Sequence, residues 1–174
     1  MPQHPLASFV FCPKCGSKHF VINDFKSKRC QTCGFVYYDN AAAAVAGFIV
    51  HNDQLLLCTR AKNPAQGLLD LPGGFIDHAE TAEQALAREI DEELGLTVVQ
   101  AEYLFSLPNT YIYSDFAVHT LDLFFKVEVS DCAPLRCADD VAKADFYDFR
   151  QINLEQIGLN SIRRGVEKFI SHDF

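Results

Sequence analysis

Two Cys-x-x-Cys pairs constrain this chain more than any other feature. Cys12-Pro13-Lys14-Cys15-Gly16 is followed, after a 14-residue gap, by Cys30-Gln31-Thr32-Cys33-Gly34. Four soft thiolates match a tetrahedral zinc ion. The two-residue spacing lets both sulfurs of a turn reach one ion, and a glycine after each second cysteine lets the turn close. So short a stretch has too little core to fold by itself, so bound metal would supply its folding energy. Cys12, Cys15, Cys30 and Cys33 are therefore the expected ligands of a structural Zn2+. Iron in the same cage and a pair of redox dithiols are the alternatives. Lys14, Lys18, Lys26, Lys28 and Arg29 make the segment locally basic. A solvated surface explains that more simply than a nucleic-acid contact.

The whole chain leans the other way. Its 174 residues carry a net charge of −8, which argues against a nucleic-acid partner held by its phosphates. A phosphate-rich ligand would need a divalent cation between itself and such a protein. Hydrophobic residues make up 49%, enough to bury a core. The longest apolar run, residues 41–50, is half of the roughly 20 needed to span a bilayer, so no membrane is expected. The first ten residues contain no Lys or Arg and no apolar stretch of leader length, so the expected location is cytoplasmic and reducing. Cys58, Cys132 and Cys137 are then expected as free thiols.

Hydropathy beyond residue 41 reads as an α/β unit. Strands are expected at 43–50, 54–60, 97–107, 111–113, 118–129 and 145–149, with a short apolar stretch at 68–71. Asn52-Asp53 suits a hairpin turn between the first two. A helix is expected over 81–94, with Thr81 and Gln84 forming a capping box and Gly95 stopping it. Residues 153–157 and 161–171 read as helical. A mixed sheet between helices follows.

On a helical wheel, Glu89, Glu92 and Glu93 fall within about 100° of arc, overlapping the apolar stripe of Ala82, Leu86 and Ile90, while Asp91 points away. Three anions beside a buried face repel one another and lose hydration. A divalent cation offsets that, and carboxylate oxygens suit Mg2+ or Mn2+. The other explanation is an acidic face paired with cations, for which only Arg88 is near on the helix. Leu71-Pro72-Gly73-Gly74-Phe75 precedes it, and two glycines let a backbone carbonyl face an ion or a phosphate come close.

Gly74, Glu80, Arg88, Glu89, Ile90, Glu92, Glu93, Gly95 and Leu96 fill every fixed position of a Nudix box, and the chain resembles the Nudix hydrolases from residue 41 onward. Residues 10–36 resemble a zinc ribbon, an arrangement known in front of Nudix domains. The resemblance implies a zinc ribbon over 1–38 and, over 39–174, a Nudix α/β/α sandwich with a mixed sheet. It implies Mg2+- or Mn2+-dependent hydrolysis of a nucleoside diphosphate linked to another moiety. By motif position, Glu89, Glu92, Glu93 and the Gly73 carbonyl would hold the metal, and Glu80 and Arg88 would orient the loop and helix. The general base varies across the family, and Asp139 and Asp140 are candidates for a later-loop carboxylate.

The substrate stays open among ADP-ribose, FAD and NAD(H)-type conjugates. Nudix NADH pyrophosphatases carry a Ser-Gln-Pro-Trp-Pro-Phe-Pro pattern, from which Phe105-Ser106-Leu107-Pro108-Asn109-Thr110-Tyr111 departs; this chain has no Trp. Phe75, Tyr111 and Tyr113 are candidates to stack on a base. A non-catalytic nucleotide-binding regulator and an RNA-cap-type pyrophosphohydrolase are the rival readings. Pairing of two copies is left open.

Overall fold

The computed structural model describes residues 4–113, 116–133 and 135–172, with the side chain of Tyr111 outside that description. The chain divides into two compact units, Met1–Ala41 and Ala42–Phe174.

The first unit is built from two copies of one turn. Gly16 N–H donates to Cys12 O and Cys12 N–H to Ser17 O; Gly34 N–H donates to Cys30 O and Cys30 N–H to Phe35 O. Both glycines sit at positive φ, +72° and +75°, where a Cβ would be strained. Three short strands not expected from the sequence, β1 (Phe20–Asp24), β2 (Ser27–Cys30) and β3 (Val36–Tyr38), form an antiparallel sheet in the order β1-β2-β3. Their hydropathy gave no period because the apolar cluster is small: Cys12, Phe20 and Cys30, with Phe35 against it. Lys28 is not a surface charge: it is buried and donates to the carbonyls of Leu6 and Phe9.

The second unit is a mixed sheet with a helix on each face. Its strands are β4 (Ala42–His51), β5 (Gln54–Arg60), β6 (Leu69–Asp70), β7 (Val98–Tyr113), β8 (Phe116–Val129) and β9 (Val141–Asp148). The order is β6-β5-β4-β8-β7, with β9 also paired to β5. Strands β4 and β8 run parallel, and the other pairs are antiparallel. Helix α1 (Ala82–Leu94) buries Leu86 and Ile90 against Val45, Ile49, Phe125 and Val127. Helix α2 (Asn160–Ser171) buries Ile162 and Val166 against Ala46, Phe48 and Phe124. Alternate residues of β4 thus feed opposite layers, as strand geometry requires.

The β4–β5 hairpin closes through Asn52 and Asp53, both at positive φ, but pairs only at Val50–Leu55 and His51–Gln54. Beyond that β5 leaves β4 and follows β9 along its whole length. The segment after β6 occupies the opening. Gly47 N–H donates to Pro72 O, Val45 N–H to Gly74 O, and Ile76 N–H to Ala43 O. The splayed hairpin is what gives the glycine loop its seat.

Other boundaries also differ. Strand β7 runs through Pro108 as one element instead of breaking there. It is an edge strand, where a residue without an N–H costs no ladder bond. Strand β9 starts at Val141, four residues early, because pairing with β5 extends it. Residues 153–157 hold only a short 3-10 turn, Leu154–Gln156. No helix among the described residues is long and apolar enough to cross a membrane.

Candidate active site

Helix α1 is set in place from both ends. Thr81 Oγ1 accepts from Gln84 N–H and Gln84 Oε1 from Thr81 N–H, while Gly95, at φ +66°, donates to Asp91 O. Its acidic face then meets the glycine loop. Glu93 is 6% exposed, and its Oε2 accepts from Gly73 N–H at 3.0 Å. Burial, and then the charges of Glu89, Asp70 and Asp140, push its carboxyl up to about 8, against the pull of that N–H. Glu89 lies against Gly74, so closely that a Cβ on Gly74 would fall 2.5 Å from its carboxylate. Burial raises its pKa as well, with Glu92 and Asp139 adding to the rise and Arg88 opposing it.

Arg88 is the hub of the rim. It donates to Glu80 at 2.7 and 3.2 Å, to Glu89 at 2.9 Å, to Glu92 at 3.2 Å and to the Phe75 carbonyl at 3.1 Å. Glu80 also accepts from Asp77 N–H. The Arg88 bonds first, then that N–H, hold its carboxyl below the ordinary value. Helix, loop and the connection between them are thereby tied by one guanidinium, in a fork that a lysine could not reproduce.

The three glutamates do not converge to a common point. Among the described residues, the only set of three or more His, Cys, Asp or Glu donors lying within 4.8 Å of one another is Cys12, Cys15, Cys30 and Cys33. Those sulfurs fit a zinc ribbon. Glu89 and Glu92 are drawn to Arg88, whereas Glu93 has no cationic partner among the described residues. The donor set still fits a hard cation in its chemistry, since a buried, uncompensated carboxylate beside two others is stabilised by a positive charge.

Beside the loop lies a cleft of about 200 Å³, bordered by Gly73, Gly74, Phe75 and Tyr113 and by Asp140. Asp139 and Asp140 both pair with Lys62, at 3.0 and 2.5 Å; Asp139 is exposed and Asp140 half-buried. Tyr111 is in β7, but its side chain lies outside the described residues. Cys58 is buried, Cys132 half-buried and Cys137 exposed.

Asp70, Asn109, Thr120 and Asp122 also line the cleft, and none was singled out from the sequence. The alternation of Thr120, Asp122 and Phe124 on one strand face was the available signal. Polar residues on the buried side of a strand mark a site or a network.

Residues 41–168 match the family model described as NUDIX domain. The chain belongs to the NUDIX family. Curated relatives include an ADP-ribose pyrophosphatase of Methanocaldococcus jannaschii, 35% identical over 117 residues, 66% of this chain and 66% of that protein. Another is the NAD-capped RNA hydrolase NudC of Vibrio parahaemolyticus, 30% identical over 105 residues, 60% of this chain and 40% of that protein. The matches thus span less than two thirds of either relative's length. A crystal structure of a NUDIX hydrolase from Nitrosomonas europaea superposes with a TM-score of 0.70 at 21% identity, over 94% of this chain and 91% of that one. The likeness in fold extends beyond the NUDIX segment.

Proposed function

We propose that this NUDIX chain hydrolyses the pyrophosphate bond of a nucleoside diphosphate linked to another moiety, with ADP-ribose as the first substrate to test. The observation that carries the reading is Glu93: a buried carboxylate, pinned to the backbone of a glycine loop that borders a cleft, with no cationic partner among the described residues. Glu89, Glu92, Glu93 and the Gly73 carbonyl would hold Mg2+ or Mn2+. When bound there, the ion supplies Lewis acidity toward phosphate oxygens and a water of lowered pKa.

The chain's own residues do the rest. Gly73 and Gly74 let phosphate oxygens approach the backbone. Arg88 and Glu80 hold the loop against α1. A box carboxylate or Asp140 accepts the proton of the attacking water. The water oxygen bonds to phosphorus, the bridging P–O bond breaks, and two phosphomonoesters leave. The four cysteines hold Zn2+ as a structural ion. A zinc site of four thiolates suits a reducing, cytoplasmic setting, with Cys58, Cys132 and Cys137 as the remaining thiols.

The M. jannaschii relative's name supports ADP-ribose. The V. parahaemolyticus relative's name supports a second reading, NAD-type 5′ ends of RNA, which the departures over residues 105–111 weaken. The test is a screen of ADP-ribose, NADH, FAD and NAD-capped RNA with Mg2+ or Mn2+, scoring released monophosphate. Release from ADP-ribose that Glu93→Gln abolishes supports the proposal. No release from any conjugate by folded protein with either ion ends it.

A further inference from the structure

The sheet face beneath α2 changes character along its length. On β8, Thr120, Asp122 and Phe124 share that face, because alternate residues of a strand point the same way. Asn109 of β7 pairs with Thr120, and Ala44 of β4 with Asp122. Phe124 enters the core with Phe48 and Ile162. Asn109, Thr120 and Asp122 instead line the cleft that reaches Gly73 and Gly74. They are 9%, 3% and 6% exposed.

Their hydrogen bonding is incomplete. Thr120 Oγ1 is buried with no partner, a costly state that native proteins seldom leave unexplained. Asp122 accepts from Ser161 Oγ through one oxygen at 2.5 Å, and its other oxygen has no partner among the described residues. Asn109 Oδ1 accepts from Thr110 N–H, leaving its Nδ2 donors for a ligand. An acceptor, a donor and a hydroxyl able to play either role thus stand side by side.

We propose that Asn109, Thr120 and Asp122 seat the nucleobase, and that the seat selects a base carrying an amino group next to a ring nitrogen. The inference rests on the pyrophosphohydrolase reading and names the part of the substrate that this end of the cleft takes. Asp122, which has no cationic partner among the described residues, disfavours phosphate there, whereas Asp70 in the same cleft is paired with Arg60. A flat ring suits the walls, since Ala44 and Ala46 leave space over the sheet and Leu159 and Ile162 close it from the other side. About 200 Å³ holds one ring system, so the rest of a conjugate extends along the glycine loop. The free oxygen of Asp122 accepts from the amino N–H, and the unpartnered Thr120 hydroxyl donates to the ring nitrogen, with Asn109 Nδ2 beside it. A base with a carbonyl at that position would set its oxygen against the Asp122 carboxylate.

The test uses adenosine and inosine, which differ in the exocyclic group and, with it, in the adjacent ring nitrogen, an acceptor in adenosine and an N–H donor in inosine; both are titrated calorimetrically into the full chain with no added divalent cation. Wild type is expected to bind adenosine at least ~10-fold more tightly, the scale of one hydrogen bond to a charged group. Asp122→Asn is expected to abolish that preference. Thr120→Val is expected to weaken adenosine about 5-fold or more while raising the melting temperature, because it removes an orphan hydroxyl; a merely structural role would lower it. Equal binding of the two nucleosides, or unchanged adenosine affinity in Thr120→Val, overturns the proposal. Since no cation or turnover is involved, discrimination without hydrolysis would uphold the seat and remove the catalytic reading. Hydrolysis without discrimination would do the reverse.

Discussion

A methyl group added at Gly73 would lie 2.1 Å from the backbone oxygen of Val45, and Gly73 sits at φ +143°. One added at Gly74 would meet the flexible end of Glu89. Gly73→Ala is therefore expected to lower the melting temperature sharply. Gly74→Ala is expected to fold and lose activity, which thermal melting and turnover measured on both proteins will separate. Glu93→Gln should cost at least ~100-fold in turnover, the scale of losing one electrostatic stabiliser, without lowering the melting temperature. Glu93 also sets a pH dependence in buffer without added divalent cation. Its folded value of about 8 stands above the ordinary 4.5, so between them the folded state keeps a proton that the unfolded chain has released. Stability is lost as pH rises through that window. The melting temperature should decline from about pH 5 to about pH 8, and Glu93→Gln, always neutral, should flatten the decline.

Elements whose signals are local were readable from the sequence. Helix α1 is one: the reciprocal Thr81–Gln84 cap and Gly95 lie within the residues they bound. Thr81→Ala is expected to cost about 1 kcal/mol, read as a lower denaturant midpoint with unchanged slope. Strand β7 shows the limit. Pro108 signals a break to any local reading, and only its place at the sheet edge lets the strand continue. Helix α2 depends on closeness that no propensity reports, since a Cβ on Gly165 would fall 2.4 Å from the Phe124 ring. Gly165→Ala improves helix propensity yet is expected to destabilise by ~1–3 kcal/mol through overpacking, again read from a denaturant midpoint.

At the scale of the whole molecule, two units with separate cores predict separate responses to loss of metal. The ribbon's apolar cluster is Cys12, Phe20 and Cys30 with Phe35 against them, besides a buried Leu6, too little to hold it without an ion. Chelation is expected to abolish hydrogen-exchange protection at the amides of β1 and β2 while that of β4 and α1 persists. Loss of protection in both units together would mean one cooperative fold instead. The sequence by itself determined the cysteine cluster, the acidic face of α1 and the family, because each is written in short-range spacing that one turn or one helix converts directly into geometry. Only the tertiary structure decided the splay of β4 from β5 that seats Gly73, the burial that lifts Glu93, the draw of Arg88 on Glu89 and Glu92, and the polar floor of Asn109, Thr120 and Asp122. Those depend on which strands become neighbours, and pairing between segments tens of residues apart leaves no local mark on the residues that it brings together.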